Sequence, residues 1–514
     1  MTCIVAVDAG TTGVRALVID HAGQVTDIAY RELAQYFPRP GWVEHDATEI
    51  IDHVRATLLE VAGRIAERGE RVAALGITNQ RETVVAWDRS TGAPLHRAIV
   101  WQDKRTRGHC RSLREAGHLD LVRSRTGLML DSYFSATKMA WLAEHGALSS
   151  TPVGDLALGT VDSWVLWHLS GAEHGGVFAT DPTNASRTLL YDIDEGAWSD
   201  ELCALFGVER AVLADVRPSC GRFAVVSAAA LGDGGRGLAG VPISGIAGDQ
   251  QAALFGQACF ASGMVKATYG TGSFVLANVG AKRPPPPAGL LTTVAWDLGG
   301  HGGEGGPLAY ALEGSAFVSG AAIQWLRDGL AVIERSEDMG PLAGSVADSG
   351  GVYVVPAFTG MGSPWWDESA RGTITGITRG AGRAQLARAT VEAMAYQVRA
   401  MVEAMVAATG TPVSELRVDG GASAMDLLLS LQADQLTTCV ARPTSIETTA
   451  LGAATLAGLA EGVWDSLDEL SARWSLDARF EPAADRTIPD ALYAAWQRAV
   501  ERARHWARED EAQG

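Results

Sequence analysis

The sequence predicts an α/β protein that is built from two similar halves around a ligand cleft. Strand-like runs at 3–8 and 14–19 flank a Gly/Thr-rich turn at 9–13. About 260 residues later, strand-like runs at 264–268 and 273–279 flank a second turn of this kind at 269–272. Such a repeated hairpin indicates a duplicated architecture in which the ligand lies between the halves.

Further elements alternate as they do in α/β folds. We predict strands at 73–78, 83–87, 352–356 and 415–419, and helices near 48–68, 136–146, 316–330, 384–407, 425–437, 448–462 and 490–508. Loops are predicted at 231–240, 284–287 and 299–306, where Gly and Pro are concentrated.

Composition narrows the classes of function. At 514 residues the chain is too long for one ordinary core. The net charge of -18 disfavours nucleic acid as a partner, because few cations remain to neutralise phosphates. The six cysteines never form a CxxC pair, which favours reduced thiols and a cytoplasmic location. The sequence has no apolar run of about 18 residues, so we expect no membrane insertion.

The stretch Pro242–Gln251 places a carboxylate and a carboxamide side by side where an apolar segment ends. Gly248 gives the backbone room to approach a ligand closely, and Asp249 and Gln250 follow it directly. A buried carboxylate of this kind suits a hydroxyl group that must lose its proton. The stretch is therefore the first candidate for a catalytic site.

The two hairpins have the parts of phosphate cradles. In Asp8–Arg15, glycines turn backbone N–H groups inward, threonine hydroxyls donate, Arg15 supplies positive charge, and Asp8 can hold magnesium through water. An ordinary β-turn explains the hairpin equally well when it is taken alone, and the same holds for Thr268–Ser273.

At Val418–Ala422 a double glycine lets a flat ring lie against the backbone, and a plain β–α turn is the alternative.

The substrate side is predicted from polar residues between two strands. Thr78–Thr83 contains Arg81 beside Glu82, a donor and an acceptor that suit a polyol, with a surface ion pair as the alternative. Val100–Asp103 and Asp131–Phe134 offer aromatic side chains for a wall, although aromatics are more often core residues. His45 has no partner at metal-binding spacing and is expected to be structural or to make a loop contact.

Together these stretches resemble the FGGY carbohydrate kinases over nearly the whole chain. The resemblance is carried by 8–15, 40–46, 76–83, 133–138, 183–188, 242–251, 268–272, 372–380 and 419–422. The stretches at 79–83 and 248–251 are specific to the members that act on glycerol. The resemblance implies two actin-like, ribonuclease-H-like domains, residues 1–247 on the glycerol side and 248–514 on the nucleotide side, with the catalytic cleft between them.

The resemblance also implies an activity: ATP-dependent phosphorylation of glycerol to sn-glycerol 3-phosphate in glycerol catabolism. Phosphoryl transfer would be in line, with Asp249 as the general base. The implied glycerol-binding residues are Arg81, Glu82, Trp101, Tyr133, Asp249, Gln250 and Phe274. The implied ATP-binding residues are Thr11, Thr12, Gly13, Arg15, Thr271, Gly320, Gln324, Gly421 and Met425. Asp8 and Asp249 would hold Mg²⁺, and relatives assemble as homodimers or homotetramers.

Some positions depart from the family pattern. Gly13 and Val14 stand where the glycerol members carry serines, so one or two hydroxyls that face phosphate are expected to be missing. Met425 and Asp426 stand where the family has asparagines, and we expect these four departures to affect nucleotide affinity more than catalysis. Gly240 replaces an arginine of the fructose 1,6-bisphosphate site in bacterial relatives, so little inhibition by that compound is expected.

Two alternatives remain open from the sequence. The first is the same chemistry on another acceptor, such as erythritol, xylulose or dihydroxyacetone, which changes at Arg81, Glu82, Trp101 or Phe274 would mark. The second is a catalytically silent sensor that binds nucleotide and signals by closing. Loss of Asp8 or Asp249 would mark the sensor, and both residues are present.

Overall fold

The computed structural model describes residues 2–301 and 308–507, apart from the side chain of Asp233. Strands of the first half are β1 (Thr2–Ala9), β2 (Gly13–Asp20), β3 (Val25–Glu32), β4 (Glu44–His45), β5 (Arg71–Asn79), β6 (Val84–Asp88), β7 (Ala98–Ile99), β8 (Leu156–Thr160), β9 (Ala179–Thr180), β10 (Tyr191–Asp192), β11 (Ala197–Trp198), β12 (Asp215–Val216), β13 (Cys220–Val225) and β14 (Pro242–Gly248). Those of the second half are β15 (Met264–Tyr269), β16 (Ser273–Gly280), β17 (Leu291–Asp297), β18 (Leu308–Ala316), β19 (Tyr353–Val355), β20 (Thr373–Thr375), β21 (Glu415–Asp419), β22 (Val440–Pro443) and β23 (Leu476–Phe480).

The helices lie between these strands. They are α1 (Ala47–Glu67), α2 (Arg107–Glu115), α3 (Leu119–Thr126), α4 (Ser135–Glu144), α5 (Val161–Ser170), α6 (Pro182–Ala185), α7 (Asp200–Phe206), α8 (Ala228–Leu231), α9 (Asp249–Gly256), α10 (Gly320–Asp328), α11 (Met339–Gly344), α12 (Arg383–Thr409), α13 (Asp426–Leu436), α14 (Thr448–Ala460), α15 (Leu467–Arg473) and α16 (Thr487–Ala503).

The predicted strands and helices are present, with ends that shift by a few residues. The helix predicted at 316–330 begins only at Gly320, because the chain up to Ala316 completes β18, which was not predicted. Most of the loop predicted at 299–306 lies outside the described residues. None of the described helices is long and apolar enough to cross a membrane. All six cysteines are buried free thiols.

Two large sheets repeat one strand pattern, which confirms the duplicated architecture. The first sheet has the order β13-β14-β5-β1-β2-β3, and the second has the order β17-β18-β16-β15-β21-β22-β23. In each, a hairpin meander (β1-β2-β3 or β15-β16-β18) continues through two parallel neighbours (β5 and β14, or β21 and β22). Both Gly/Thr-rich turns therefore occupy equivalent places in the two halves.

Helix α14 joins the halves, because it comes from the second half of the chain but packs on β1, β5 and β14 of the first sheet and crosses α9. The contact is unusually close. A Cβ on Gly452 would lie 1.8 Å from the Ala252 carbonyl oxygen, and one on Gly256 would lie 2.0 Å from that of Thr448. Glycine is therefore required on both helices where they cross.

A substitution at this crossing should destabilise the whole fold. We expect Gly452→Ala to lower the free energy of unfolding by about 3 kcal/mol, because the added methyl meets backbone atoms that have little room to move. Urea denaturation followed by tryptophan fluorescence would measure the change. Gly63→Ala is the matched control, since Gly63 lies in α1 with no atom within 4 Å of its Cβ position. The control should be neutral or stabilised by up to about 1 kcal/mol, and equal destabilisation of both variants would contradict the prediction.

Candidate active site

The connection between β5 and β6 carries the polar stretch that was predicted to bind substrate. Arg81 and Glu82 are each only 2% exposed although both carry charge. Glu82 has a φ of +62°, a conformation that residues with a side chain rarely adopt. Strain of this kind persists only where the surroundings impose it, and it is common at functional sites. The structure therefore holds this connection in a specific, buried conformation.

Arg81 and Glu82 belong to a buried cluster of four charged groups, and Arg187 and Glu313 complete it. The Arg81 guanidinium donates to both carboxylate oxygens of Glu313, at 2.6 and 3.2 Å. Arg187 donates to Glu313 at 2.9 Å and to Glu82 at 2.6 Å. Three of these residues come from the first half and Glu313 comes from β18 of the second.

Burial and the two arginines shift the pKa values of the two carboxylates in this cluster in opposite directions. Burial alone would raise the pKa of Glu313, but the Arg187 and Arg81 guanidiniums lower that pKa to about 2. Burial dominates at Glu82, where it raises the pKa in spite of the same two arginines. Glu313 is therefore the carboxylate that is most firmly ionised in the cluster.

Asp249 lies at the first position of α9, where β14 ends. The N–H of Gly248 donates to the Thr183 hydroxyl at 2.8 Å, and this bond fixes the backbone just before Asp249. The Asp249 carboxylate accepts the N–H of Gln250 at 2.7 Å and lies 3.1 Å from Nε of Arg81. Its side chain stays 30% exposed. Burial raises the pKa of Asp249, and the positive charges of Arg81 and Lys266 oppose that shift.

Lys266 fixes the orientation of the Gln250 amide. Its Nζ donates to Oε1 of Gln250 and, at 2.8 Å, to the Thr268 hydroxyl. Lys266 is fully buried on β15, and burial lowers its pKa. A lysine ammonium can only donate, so the amide oxygen must face it, and the NH₂ group of Gln250 is left to donate elsewhere.

Tyr133 and Trp101 form an aromatic wall beside the charged cluster. The two rings meet edge to face at 5.5 Å, and the Tyr133 hydroxyl accepts from Arg81 at 3.4 Å. Lys138, in α4, donates to the backbone carbonyls of Ser132, Tyr133 and Phe134 at 2.6 to 2.9 Å. This buried lysine holds the loop that carries Tyr133 in place.

Phe274, the remaining residue predicted on the glycerol side, is half-buried on β16. The strand register places it opposite Ser315, while Leu276 lies opposite both Glu313 and Lys266. Because side chains two residues apart share a face, Phe274 lies on the same face of the second sheet as Lys266 and Glu313. This face contacts Arg81, which donates to Glu313.

The first hairpin is anchored to this site and to the second half of the chain. The Trp101 indole N–H donates to the Thr11 hydroxyl at 2.9 Å. Arg15 donates at 2.7 Å both to buried Asp8 and to Glu447, the residue before α14. These contacts place Asp8, Thr11 and Arg15 between the aromatic wall and the second half.

Gly13 and Val14, which both depart from the family pattern, lie on opposite faces of β2. Val14 is fully buried in the core of the first half, on the face of β2 opposite to Arg15. A serine at Val14 would therefore point away from Arg15, and the expectation of a second missing hydroxyl on the cradle is wrong for this position. Gly13 shares the face of Arg15, and Thr12 is exposed at the turn.

The second hairpin borders a cavity of about 760 Å³ in the second half. Five of the residues predicted to contact nucleotide lie in its lining: Thr271, Gly320, Gln324, Gly421 and Met425. Among the described residues, those of the first hairpin are not in this lining, so the cavity and the first hairpin are separate parts of the cleft. The volume is within the usual range for a small-molecule site.

Two carboxylates, buried Asp8 and partly exposed Asp249, fit a divalent cation. Burial raises the pKa of Asp8, and the Asp8 charge contributes to raising the pKa of Asp249 after burial itself. A cation between two carboxylates that repel each other would relieve this cost. The described residues include no group of three or more His, Cys, Asp or Glu side chains that could bind a metal. Magnesium commonly binds through one or two carboxylates together with phosphates and water, and Asp8 and Asp249 suit that mode.

Sequence reasoning assigned no role to Arg187, Lys266 or Glu313. A signal existed for two of them, since Lys266 and Glu313 are the only charged residues of β15 and β18. A single charge in an otherwise apolar strand is costly to bury unless it has a partner. The partners come from distant parts of the chain and could not be inferred from local spacing.

Removing Glu313 should leave two buried arginines without their shared partner. We expect Glu313→Gln to lower the free energy of unfolding by about 3–5 kcal/mol at pH 7. Glu501→Gln is the control, since Glu501 is 63% exposed and pairs with Arg504 at 3.1 Å. This surface pair should contribute less than about 1 kcal/mol. Urea denaturation of both variants would measure the difference.

The same experiment has a defined pH dependence. The pKa of Glu313 falls from 4.5 to about 2 on folding, so the ionised carboxylate stabilises the folded state above pH 4.5. That contribution is lost as the pH falls towards 2. The stability difference between wild type and Glu313→Gln should therefore shrink below pH 4.5, and a difference that stays constant would contradict the assignment.

Comparisons with known proteins identify the family. Residues 3–256 match the N-terminal domain of the FGGY family of carbohydrate kinases, and residues 265–461 match its C-terminal domain. A glycerol kinase of Aromatoleum aromaticum is 52% identical over 98% of this chain and 99% of the relative. A glycerol kinase of Stenotrophomonas maltophilia is 51% identical over 97% of each chain.

Solved structures show the same architecture. The crystal structure of Plasmodium falciparum glycerol kinase with ADP superposes with a TM-score of 0.90, at 32% identity over 98% of both chains. A ligand-bound xylulose kinase of Lactobacillus acidophilus reaches a TM-score of 0.84 at 19% identity over 98% of this chain and 97% of the other, which shows the fold alone. With both domains matched and relatives at half identity over its length, the chain belongs to the FGGY family of carbohydrate kinases.

Proposed function

We propose that this chain transfers the γ-phosphoryl group of ATP to glycerol and forms sn-glycerol 3-phosphate. The observation that carries the proposal is the identity of 52% and 51% with two glycerol kinases over essentially complete chains. The site supports it because Arg81, Glu82, Tyr133 and Asp249 converge where the two halves meet.

Glycerol has little carbon and three hydroxyls, so its recognition requires several oriented polar groups. The NH₂ group of Gln250, turned away from Lys266, can donate to a hydroxyl oxygen. The carboxylates of Asp249 and Glu82 can accept hydroxyl protons. Trp101 and Phe274 supply apolar surface for the carbon chain, and Tyr133 and Arg81 complete the polar side.

Asp249 is proposed as the general base. Its partly exposed carboxylate lies at the N-terminus of α9, beside Arg81. A carboxylate in this place can take the proton of the attacking primary hydroxyl as the new O–P bond forms and the bond to the ADP oxygen breaks. The nearby positive charges of Arg81 and Lys266 oppose the effect of burial and favour the ionised form that can accept a proton.

The nucleotide is proposed to extend from the cavity beside α10 and α13 to the first hairpin. Thr271, Gly320, Gln324, Gly421 and Met425 would contact the adenosine part and the near phosphates. Thr11, Thr12, Gly13 and Arg15 would surround the distal phosphates. Asp8 and Asp249 would hold Mg²⁺, which neutralises phosphate charge when it is bound.

Water competes with glycerol as an acceptor, so the cleft has to exclude it during transfer. Arg15 of the first half already contacts Glu447 of the second at 2.7 Å, and Arg81 contacts Glu313. These two contacts join the halves at the base of the cleft, which we call its floor. The outer parts of the two halves would then close over the substrates, as domains do in many kinases.

An acceptor panel tests the proposal. ADP release with Mg-ATP should be much faster with glycerol than with dihydroxyacetone, erythritol, xylulose or no acceptor. A preference for another acceptor would retain the kinase chemistry and overturn the glycerol assignment at Trp101 and Phe274. Release that is independent of any acceptor would overturn the transfer reaction itself.

Asp249→Asn should separate chemistry from binding. We expect kcat to fall by at least about 100-fold, because an amide cannot accept the proton. Glycerol affinity, measured by calorimetry without nucleotide, should stay within about tenfold, because the amide keeps the shape of the side chain. Asp200→Asn, at a side chain that is 79% exposed, is the control and should behave as wild type. Turnover near wild type in Asp249→Asn would refute the role of base.

A further inference from the structure

An exposed tyrosine lies beside the first hairpin and has no role in the mechanism so far. Tyr30, on β3, is 48% exposed. The strand register places it directly opposite Arg15. Directly opposite residues share a face of the sheet, so Tyr30 lies on the side that carries Arg15 and Asp8.

The Tyr30 side chain occupies the space that a side chain at Gly13 would need. A Cβ built on Gly13 would lie 2.3 Å from a ring carbon of Tyr30 and 2.6 Å from its hydroxyl oxygen. The Tyr30 hydroxyl therefore lies in the region that a side chain at residue 13 would enter. Gly13 is the one departure from the family pattern that lies on this face of the hairpin.

The hydroxyl is available for a ligand. It donates to the Thr12 carbonyl oxygen at 3.2 Å, longer than the usual 2.7–2.8 Å for an O–H···O bond. A phenolic hydroxyl can turn between its in-plane orientations and also has lone pairs, so it can exchange this weak contact for a stronger acceptor. A phosphate oxygen beside Thr12 and Arg15 would be such an acceptor, because hydrogen bonds to charged groups are the stronger ones.

We propose that the Tyr30 hydroxyl donates a hydrogen bond to the nucleotide phosphates. Tyr30, on β3, would thus supply the hydroxyl that the chain lacks at Gly13. The proposal rests on the proposed function, since it requires the first hairpin to bind the distal phosphates. It places four donors around that position, namely Thr11, Thr12, Arg15 and Tyr30.

A purely structural role is the competing explanation. Aromatic side chains often cover a glycine on a neighbouring strand and so protect the sheet. That role depends on the ring and not on the hydroxyl. Phenylalanine at position 30 keeps the ring and removes the hydroxyl, so it separates the two explanations.

The test compares Tyr30→Phe with wild type by calorimetric titration with the magnesium complex of AMP-PNP, a non-hydrolysable ATP analogue. We expect about tenfold weaker binding, the usual effect of losing one hydrogen bond to a charged group. Adenosine and glycerol should bind as they do to wild type, because neither carries a phosphate. Tyr36→Phe, a tyrosine over which Arg97 stacks at 3.7 Å, is the matched control and should change nothing.

The possible outcomes separate the two proposals. If wild type binds AMP-PNP and Tyr30→Phe binds it within about twofold, the Tyr30 proposal is wrong and the proposed function stands. If adenosine binding weakens as much as AMP-PNP binding, the effect is structural and the proposal is also wrong. If wild type does not bind AMP-PNP at all, both proposals fail. A thermal melt of Tyr30→Phe confirms that the variant is folded before it is titrated.

Discussion

The ion cluster of Arg81, Glu82, Arg187 and Glu313 is the constraint on which the cleft depends. Four charges removed from water are tolerable only when each has its partner at hydrogen-bond distance. Because Glu313 belongs to the second sheet and the other three to the first half, the two halves must meet at this point. The position of Asp249 relative to the glycerol side follows, since Arg81 contacts both Glu313 and Asp249. The cluster thus determines where the reacting groups can be.

On the nucleotide side, ionic contacts at the first hairpin also link the two halves. The Asp8–Arg15–Glu447 bonds satisfy, within the protein, groups that a metal and phosphates would otherwise engage. Binding of nucleotide would compete with these internal ionic contacts for Asp8 and Arg15. Glu447 differs from the other two because it precedes α14, and this link connects the cradle directly to the helix that joins the halves.

Much of the fold could be predicted from the sequence because hairpins and amphipathic helices are local features. The repeated turns predicted the duplicated sheets, and the Gly-Asp-Gln stretch marked the end of β14. Glu313 could not be found in this way, because its partner Arg81 is 232 positions away in the chain and only the folded sheet brings them together. The face of Val14 was also misjudged. Neighbouring residues of a strand point to opposite sides, so Val14 and Gly13 cannot both face a ligand.

The close crossing of α14 over α9 has a consequence for how the protein is made. All strands of the first sheet have been translated by residue 248. One face of that sheet is nevertheless covered by α14, which is translated about 200 positions later. Ile4, Ala6 and Leu17 share one core with Ala450, Ala454 and Ala457. A ribosome-bound chain that has emerged only as far as α9 therefore exposes an apolar face of the first sheet. That face is covered only after α14 has been synthesised. The two halves are similar in architecture but share this core, and a chain cut between 247 and 248 would leave both pieces without part of it.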